Sequence, residues 1–216
     1  MRETEKQLDE LVEFLKSGPR IAVLTGAGIS AESGIPTFRG KDGLWNEFRA
    51  EELATPQAFF RDPKLVWEWY DWRRGIIGSK EPHDGHRVLA RWERHFPYFV
   101  LITQNVDGFH RRAGSQNVLE LHGNIWEVRC TREGTISENT ESPLRKIPPL
   151  CPACGAMLRP NVCSSDLGRQ DHRSEPGADA SQFKRRLRLF GQSGRTAPAH
   201  RPTAVRRMTK RLKGKA

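Results

Sequence analysis

An apolar run at residues 21–24, Ile-Ala-Val-Leu, runs directly into closely spaced glycines, and this junction constrains the possible fold more than any other feature. A short β-branched run favours a buried strand, and Gly26 breaks it sharply. In α/β proteins such a strand leads through a glycine-rich turn into a helix whose first amides face a phosphate. The glycines at 26, 28 and 34 fit the usual dinucleotide-binding spacing poorly. The junction still predicts a nucleotide-binding unit, in which Gly28 lets the backbone approach a pyrophosphate.

Two further apolar runs end in polar residues in the same way. Residues 98–103 lead into Gln104-Asn105-Val106-Asp107-Gly108, and residues 118–121 lead into His122-Gly123. The carboxyl ends of parallel strands meet at one edge of an open sheet, where such folds bind ligands. We therefore predict an α/β fold with a Rossmann-like parallel sheet. Apolar spacing and cap-plus-proline signals predict helices at 3–17, 52–61, 63–74 and 83–95.

Charge divides the chain near residue 162. Residues 1–162 carry 22 Lys and Arg and 22 Asp and Glu, so the other 14 basic and 4 acidic residues, in 163–216, account for the whole net charge of +10. Residues 163–216 also contain only seven Leu, Ile, Val or Phe, too few to bury a core. We predict a globular domain over 1–162, with a helical insertion at about 42–95, and a disordered basic tail.

The start of the tail, Cys163-Ser-Ser-Asp-Leu167, is the peptide that the nucleotide string of a common sequencing adaptor would encode. We interpret 163–216 as a non-native reading frame, and a natural tail that binds nucleic acid through charge alone is the alternative. The N-terminus has no apolar signal region, and four cysteines without one favour metal binding in a reducing compartment. These features predict a cytoplasmic protein with no membrane partner.

Three strings together, at 26–40, 103–110 and 119–125, resemble the sirtuin family of NAD-consuming protein-lysine deacylases. By this resemblance Gln104 contacts the ribose hydroxyls, Asn105 lines the nicotinamide pocket, and Asp107 binds the carboxamide together with Ile29. The other residues that the resemblance assigns to NAD are Gly26, Ala27, Gly28, Ser30, Ala31, Glu32, Pro36, Thr37, Phe38, Arg39 and Trp45.

His122 lies in the third string, at a position that supplies the general base in sirtuins. A lone histidine at a strand end is more often structural, but imidazole suits the task because its pKa lies near neutral pH. The resemblance implies that an acylated lysine displaces nicotinamide from NAD and that His122 deprotonates the ribose hydroxyl pair. The products are free lysine and O-acyl-ADP-ribose. ADP-ribosyl transfer to protein is the alternative chemistry, and His110 is expected to be structural.

Tyr70 and Arg73 are three residues apart on a predicted helix and so share one face. On an arbitrary helix this pair would belong to an aromatic core face with a solvated arginine. Within the sirtuin resemblance it matches the branch that removes negatively charged acyl groups, because a guanidinium can bind a terminal carboxylate in a bidentate way. We predict succinyl- or malonyl-lysine as substrate, with acetyl-lysine also accepted.

Cys130 and the pair Cys151-Pro-Ala-Cys154 predict a structural zinc module at about 123–160. Sirtuins usually have a second cysteine pair, but Glu133 stands where the fourth cysteine is expected. Three interpretations remain open: Glu133 as the fourth ligand, a water in its place, or a weakened or metal-free site.

The resemblance stops after Val162, because the strings with which sirtuins seat the adenosine half of NAD do not follow. We therefore expect a C-terminally truncated and poorly active enzyme.

Overall fold

The computed structural model describes residues 2–36, 44–45 and 48–162. The predicted tail lies outside the described residues, and so do Thr37, Phe38, Arg39 and the side chain of Trp45. Within the described part of the chain, no helix combines the length and the apolar character needed to cross a membrane.

The described part of residues 2–95 is mainly helical. It comprises α1 (Arg2–Lys16), β1 (Ile21–Thr25), α2 (Ala27–Ala31), β2 (Leu44–Trp45), β3 (Phe48–Arg49), α3 (Ala50–Leu53), α4 (Pro56–Arg61), α5 (Pro63–Gly78) and α6 (Asp84–His95). Most elements of residues 99–162 are strands, and the elements are β4 (Phe99–Thr103), α7 (Phe109–Arg112), β5 (Val118–Glu120), β6 (Gly123–Cys130), β7 (Ile136–Glu138) and β8 (Leu158–Val162).

The three predicted strands form one parallel sheet in the order β1-β4-β5, which confirms the predicted fold class. β1 pairs with β4 from Ile21 opposite Phe99 to Thr25 opposite Thr103. β5 pairs with β4 up to Glu120 opposite Thr103. All three carboxyl ends therefore reach the same edge of the sheet.

The predicted helix boundaries needed two corrections. The helix expected over 52–61 is interrupted, because Pro56 begins α4 and Thr55 Oγ1 caps it by accepting the Ala58 amide at 3.1 Å. The helix expected to end at residue 74 continues to Gly78. Gly75 weakens this helix intrinsically, but burial of Ile77 within the core favours its continuation.

The main apolar core lies between α4 and α5 on one side and a second sheet on the other. This sheet is antiparallel, with the order β7-β6-β8. The fully buried Trp67 donates its indole N–H to the Leu158 carbonyl at 2.7 Å. Arg74 is also fully buried, lies over the rings of Trp67 and Trp126, and donates to the Ile125 carbonyl at 2.9 Å. These contacts join α5 firmly to the second sheet.

Candidate active site

Three predicted NAD-binding side chains meet where β1 and β4 end. Ser30 Oγ donates to Asp107 Oδ2 at 2.6 Å, and Asn105 Nδ2 donates to Ser30 Oγ at 2.9 Å. Asn105 Nδ2 also donates to the Gly26 carbonyl at 2.9 Å, while Asp107 Oδ1 accepts the Phe109 amide at 2.9 Å. This network connects the glycine-rich segment directly to the loop at 104–108.

A small cavity opens beside this network. Its walls come from the glycine-rich segment, from α5 and from the loop at 104–108. The lining residues are Ala27, Ser30, Ile35, Pro36, Arg73, Ile77, Asn105, Val106 and Asp107. The lining is therefore mostly apolar, with a few convergent polar groups, which is the usual character of a small-molecule site.

Arg73 carries a positive charge into the wall of this cavity. Burial lowers the pKa of its guanidinium to about 10, while Tyr70 and Asp107 act in the opposite direction. The side chain therefore stays protonated at neutral pH. Tyr70 does not line the cavity among the described residues; it is buried edge-on against Trp69, with ring centroids 4.6 Å apart. The structure thus places Arg73 in the cavity wall, and the role of Tyr70 in binding the acyl group stays a prediction.

The remaining residues that the sirtuin resemblance assigns to NAD lie on α2 and beside it. Gly26 is the N-cap of α2, and Ala27, Gly28, Ala31 and Glu32 are exposed, as is Pro36, while Ile29 is half-buried. A Cβ built on Gly28 would meet no described atom within 4 Å, so this face of the turn is open. Gln104 is exposed, and its backbone N–H donates to the Thr25 carbonyl at 3.0 Å.

His122 lies in the tight turn between β5 and β6, at the same sheet edge. The turn requires glycine at the next position, because Gly123 has a φ of +77° and a Cβ there would lie 2.0 Å from the Asn161 carbonyl oxygen. Burial lowers the pKa of His122, with a smaller opposing effect from the Leu121 backbone. The imidazole is therefore neutral at pH 7, the form that can accept a proton. It does not line the described cavity.

The three cysteines and Glu133 come together at one end of the second sheet. Their ligand atoms all lie within 4.8 Å of one another, and Cys130 and Cys154 have sulfurs 3.5 Å apart. The Glu133 amide donates to Cys130 Sγ and lowers the pKa of that thiol, which favours the thiolate that metals bind. Three sulfurs and one carboxylate at this separation suit a tetrahedral zinc ion.

The sequence prediction missed several residues of the cavity and its supports. Ile77 is four residues after Arg73, so a longer predicted helix would have placed it on the same face. Trp126 donates its indole N–H to the Asp107 carbonyl at 2.9 Å and so supports the loop. No local pattern indicated this contact, because Trp126 looks like an ordinary strand residue.

Fold and site together define a class of protein: a Rossmann-like α/β domain with a cysteine-rich module and a candidate ligand site at the carboxyl ends of its parallel strands. The family model described as "Sir2 family" matches residues 26–168, and the chain belongs to this family. The sequence-based recognition is thereby confirmed.

Close relatives and a solved structure agree with this assignment. An NAD-dependent protein deacylase of Aquifex aeolicus is 65% identical over 142 residues, which cover 66% of this chain and 59% of the relative. Another, of Leptospira interrogans serovar Lai, is 60% identical over 180 residues, with 81% and 72% covered. The crystal structure of a Sir2 homolog–NAD complex has a TM-score of 0.64 at 50% identity and covers 73% of this chain and 62% of that one. The chain therefore spans about three fifths of the length of the first of these relatives.

Proposed function

We propose that this chain carries the nicotinamide and acyl-lysine part of an NAD-dependent protein-lysine deacylase site. We further propose that it favours acyl groups that end in a carboxylate, succinyl and malonyl, and that it also accepts acetyl. The names of its relatives support the reaction class. The observation that carries the acyl preference is the charged Arg73 in the wall of the cavity, beside Asn105 and Asp107.

Each residue has a role that its surroundings suit. NAD, when bound, supplies an electrophilic ribose carbon and the nicotinamide leaving group. Asp107 has acceptor sites left beyond Ser30 and the Phe109 amide, so it can accept the N–H of a carboxamide. Neutral His122 accepts a proton from a ribose hydroxyl. Gly28 and the exposed start of α2 leave room for a pyrophosphate.

We assign the cysteine cluster to a structural zinc ion bound by Cys130, Cys151, Cys154 and Glu133. The cluster lies at one end of the second sheet and shares no residue with the network of Ser30, Asn105 and Asp107, so zinc would stabilise the module and take no part in the chemistry. We also propose a cytoplasmic location, since a reducing compartment keeps such thiols available to a metal.

Release of nicotinamide from NAD tests the proposed activity. The purified chain is incubated with NAD and with succinyl-, malonyl-, acetyl- or unmodified lysine peptides. Because the chain is expected to be poorly active, we expect slow release, and only with acylated peptides. This release should be lost in His122→Ala and retained in His95→Ala, a control at the end of α6. Labelled NAD separates the chemistries, because deacylation leaves the label on a small molecule and ADP-ribosyl transfer leaves it on protein. Release that does not depend on an acylated peptide, or no release with any peptide, would contradict the proposal.

A further inference from the structure

A chain of three hydrogen bonds runs beneath the loop at 104–108. His110 Nε2 lies 2.9 Å from Thr25 Oγ1, which lies 2.9 Å from Thr103 Oγ1. Thr103 Oγ1 in turn accepts the backbone amide of Asn105 at 3.1 Å. Thr25 and Thr103 are opposite each other in the parallel ladder, and all three side chains are buried. The chain thus leads from a buried imidazole to the first turn of the loop.

The donors in this chain have a definite direction. Thr103 Oγ1 accepts from both the Asn105 amide and the Thr25 hydroxyl, so the only hydroxyl proton of Thr25 is already used. A proton on Nδ1 would leave a buried N–H without a partner among the described residues, so His110 carries its proton on Nε2 and donates to Thr25 Oγ1. This tautomer leaves Nδ1 of His110 as an acceptor without a hydrogen-bond partner among the described residues. An unpaired buried acceptor is tolerated better than an unpaired N–H.

We infer that His110 is a positioning residue, a neutral Nε2–H donor that holds the loop through Thr25 and Thr103. Its effect reaches the site because the Asn105 side chain bonds both Gly26 and Ser30, so a shift of the Asn105 backbone would displace those contacts. The functional part of this inference rests on the proposed function, whereas the tautomer and the hydrogen bonds do not.

The surroundings of His110 keep it uncharged. Burial is the main cause that lowers its pKa to about 4, and the nearby His83 adds to the effect. The His86 ring also packs against it, with centroids 4.8 Å apart, and on the other side Thr25 and Thr103 are neutral. A fixed neutral tautomer can therefore persist throughout the neutral pH range.

The tautomer can be read directly from the whole chain. Long-range ¹H–¹⁵N spectra of the imidazoles distinguish Nε2–H from Nδ1–H, and the signal lost in His110→Gln assigns the residue. We expect His110 as the Nε2–H form at pH 7. An Nδ1–H or a charged His110 would overturn the inference, and this measurement needs no variant to be active.

Matched variants test whether the chain holds the loop. Gln offers an N–H donor near the position of Nε2 and Asn does not, while Ser keeps the hydroxyl of Thr25 and Val removes it. We expect Asn105 amide exchange to accelerate about 5- to 10-fold in His110→Asn and Thr25→Val, the effect of one lost neutral hydrogen bond. His110→Gln and Thr25→Ser should stay near wild type. Equal exchange in the Gln and Asn variants would overturn the inference.

Ser115→Ala serves as the control, because it removes a buried hydroxyl that has no partner in the described part of the chain. It should leave Asn105 exchange unchanged, and an acceleration matching that of Thr25→Val would mean general loosening. If the wild-type chain binds NAD, His110→Asn should bind it about 5- to 10-fold more weakly than His110→Gln. If the wild-type chain does not bind NAD, the proposed function fails, while the spectra and the exchange rates still decide the inference.

Discussion

Different interactions stabilise the region around α5 and the edge of the parallel sheet. Around α5, large aromatic side chains such as Trp67 are fully buried against the second sheet. At the parallel sheet, Leu101 of the central strand β4 is fully buried, but Leu24 of β1 is 62% exposed and Phe14 of α1 is 60% exposed. Side-chain hydrogen bonds connect the residues at this edge, from Ser30 to Asp107 and from Thr25 to Thr103.

This contrast indicates that one region contributes most of the stability and the other sets the geometry of the candidate site. Apolar burial is the main source of folding free energy, and it is concentrated where α5 meets the second sheet. The candidate site lies where polar contacts set the geometry, and such regions are commonly less stable than the core of the same protein. Substitutions at α5 should therefore act mainly on global stability, and substitutions at the sheet edge on local geometry.

The largest effect is expected from Trp67→Ala. Removing this buried indole loses its packing and the hydrogen bond to Leu158, at a cost of about 3–5 kcal/mol in the free energy of unfolding. Urea denaturation of the chain measures this cost. Trp72→Ala is the control on the same helix, and since Trp72 is 41% exposed we expect a cost below about 1 kcal/mol. Similar costs for the two variants would show that α5 is not the packed core.

The second largest effect is expected from acid, which should lower the free energy of unfolding through His86. Burial, followed by the neighbouring His110 and His83, lowers the pKa of His86 to about 4 from the usual 6.5, and Asp107 opposes this while Arg87 adds to it. The unfolded chain therefore binds more protons than the folded chain between these values. Stability is fully present above pH 6.5 and falls as the pH drops towards 4, by about 3 kcal/mol for His86.

Unfolding titrations between pH 7.5 and pH 4 check this expectation. His86→Asn removes the titrating group, so its stability should depend less steeply on pH than that of the wild type. The same pH slope in both proteins would show that His86 is not held neutral by the fold.

Ser30→Ala should have an intermediate effect. It takes one hydrogen bond from the buried Asp107 carboxylate, and bonds to charged groups contribute roughly 1.5–3 kcal/mol. Ser33→Ala is the matched control, because the Ser33 hydroxyl is buried without a hydrogen-bond partner among the described residues. The midpoint temperature of thermal unfolding, Tm, should therefore be lowered by Ser30→Ala and be unchanged or raised by Ser33→Ala. A larger loss in Ser33→Ala than in Ser30→Ala would contradict the claim that polar contacts stabilise this edge.

The smallest effect is expected from Phe14→Ser in α1. Since this ring is largely exposed, its replacement should change the free energy of unfolding by less than about 0.5 kcal/mol. Denaturant titration against wild type gives the value, and a loss of several kcal/mol would mean that α1 belongs to the stabilising core.

Much of the sheet and its edge could be predicted from the sequence, because the signals there are local. Short apolar runs ending in glycine or in Asn and Asp defined β1, β4 and β5 within one or two residues. Parallel pairing then brings their ends together, which accounts for the meeting of Ser30, Asn105 and Asp107. The cysteine spacing likewise anticipated the cluster with Glu133.

What could not be predicted depends on contacts distant in sequence. Arg73 and Arg74 are adjacent and chemically identical, yet one lines the cavity and the other is buried between Trp67 and Trp126. The roughly 100° turn per helical residue separates them, but only the packed structure shows which direction faces the site. Tyr70 shares a helical face with Arg73, but its buried ring packs against Trp69 and it is not among the residues that line the described cavity. The hydrogen bond between His110 and Thr25 also could not be predicted, because the two residues are 85 positions apart in the sequence.

Arg73→Met tests the central claim most directly, since that claim places a carboxylate-binding charge at the acyl site. Efficiency, kcat/KM, is measured on succinyl- and acetyl-lysine peptides, with Arg87→Met, an exposed arginine of α6, as the control. Losing a charge-assisted contact should lower desuccinylation on the order of 10- to 100-fold. Deacetylation should stay similar or improve, so the ratio of the two efficiencies should fall by the same factor. Equal losses on both peptides would contradict the account, because Arg73 would then support the fold without recognising the acyl group.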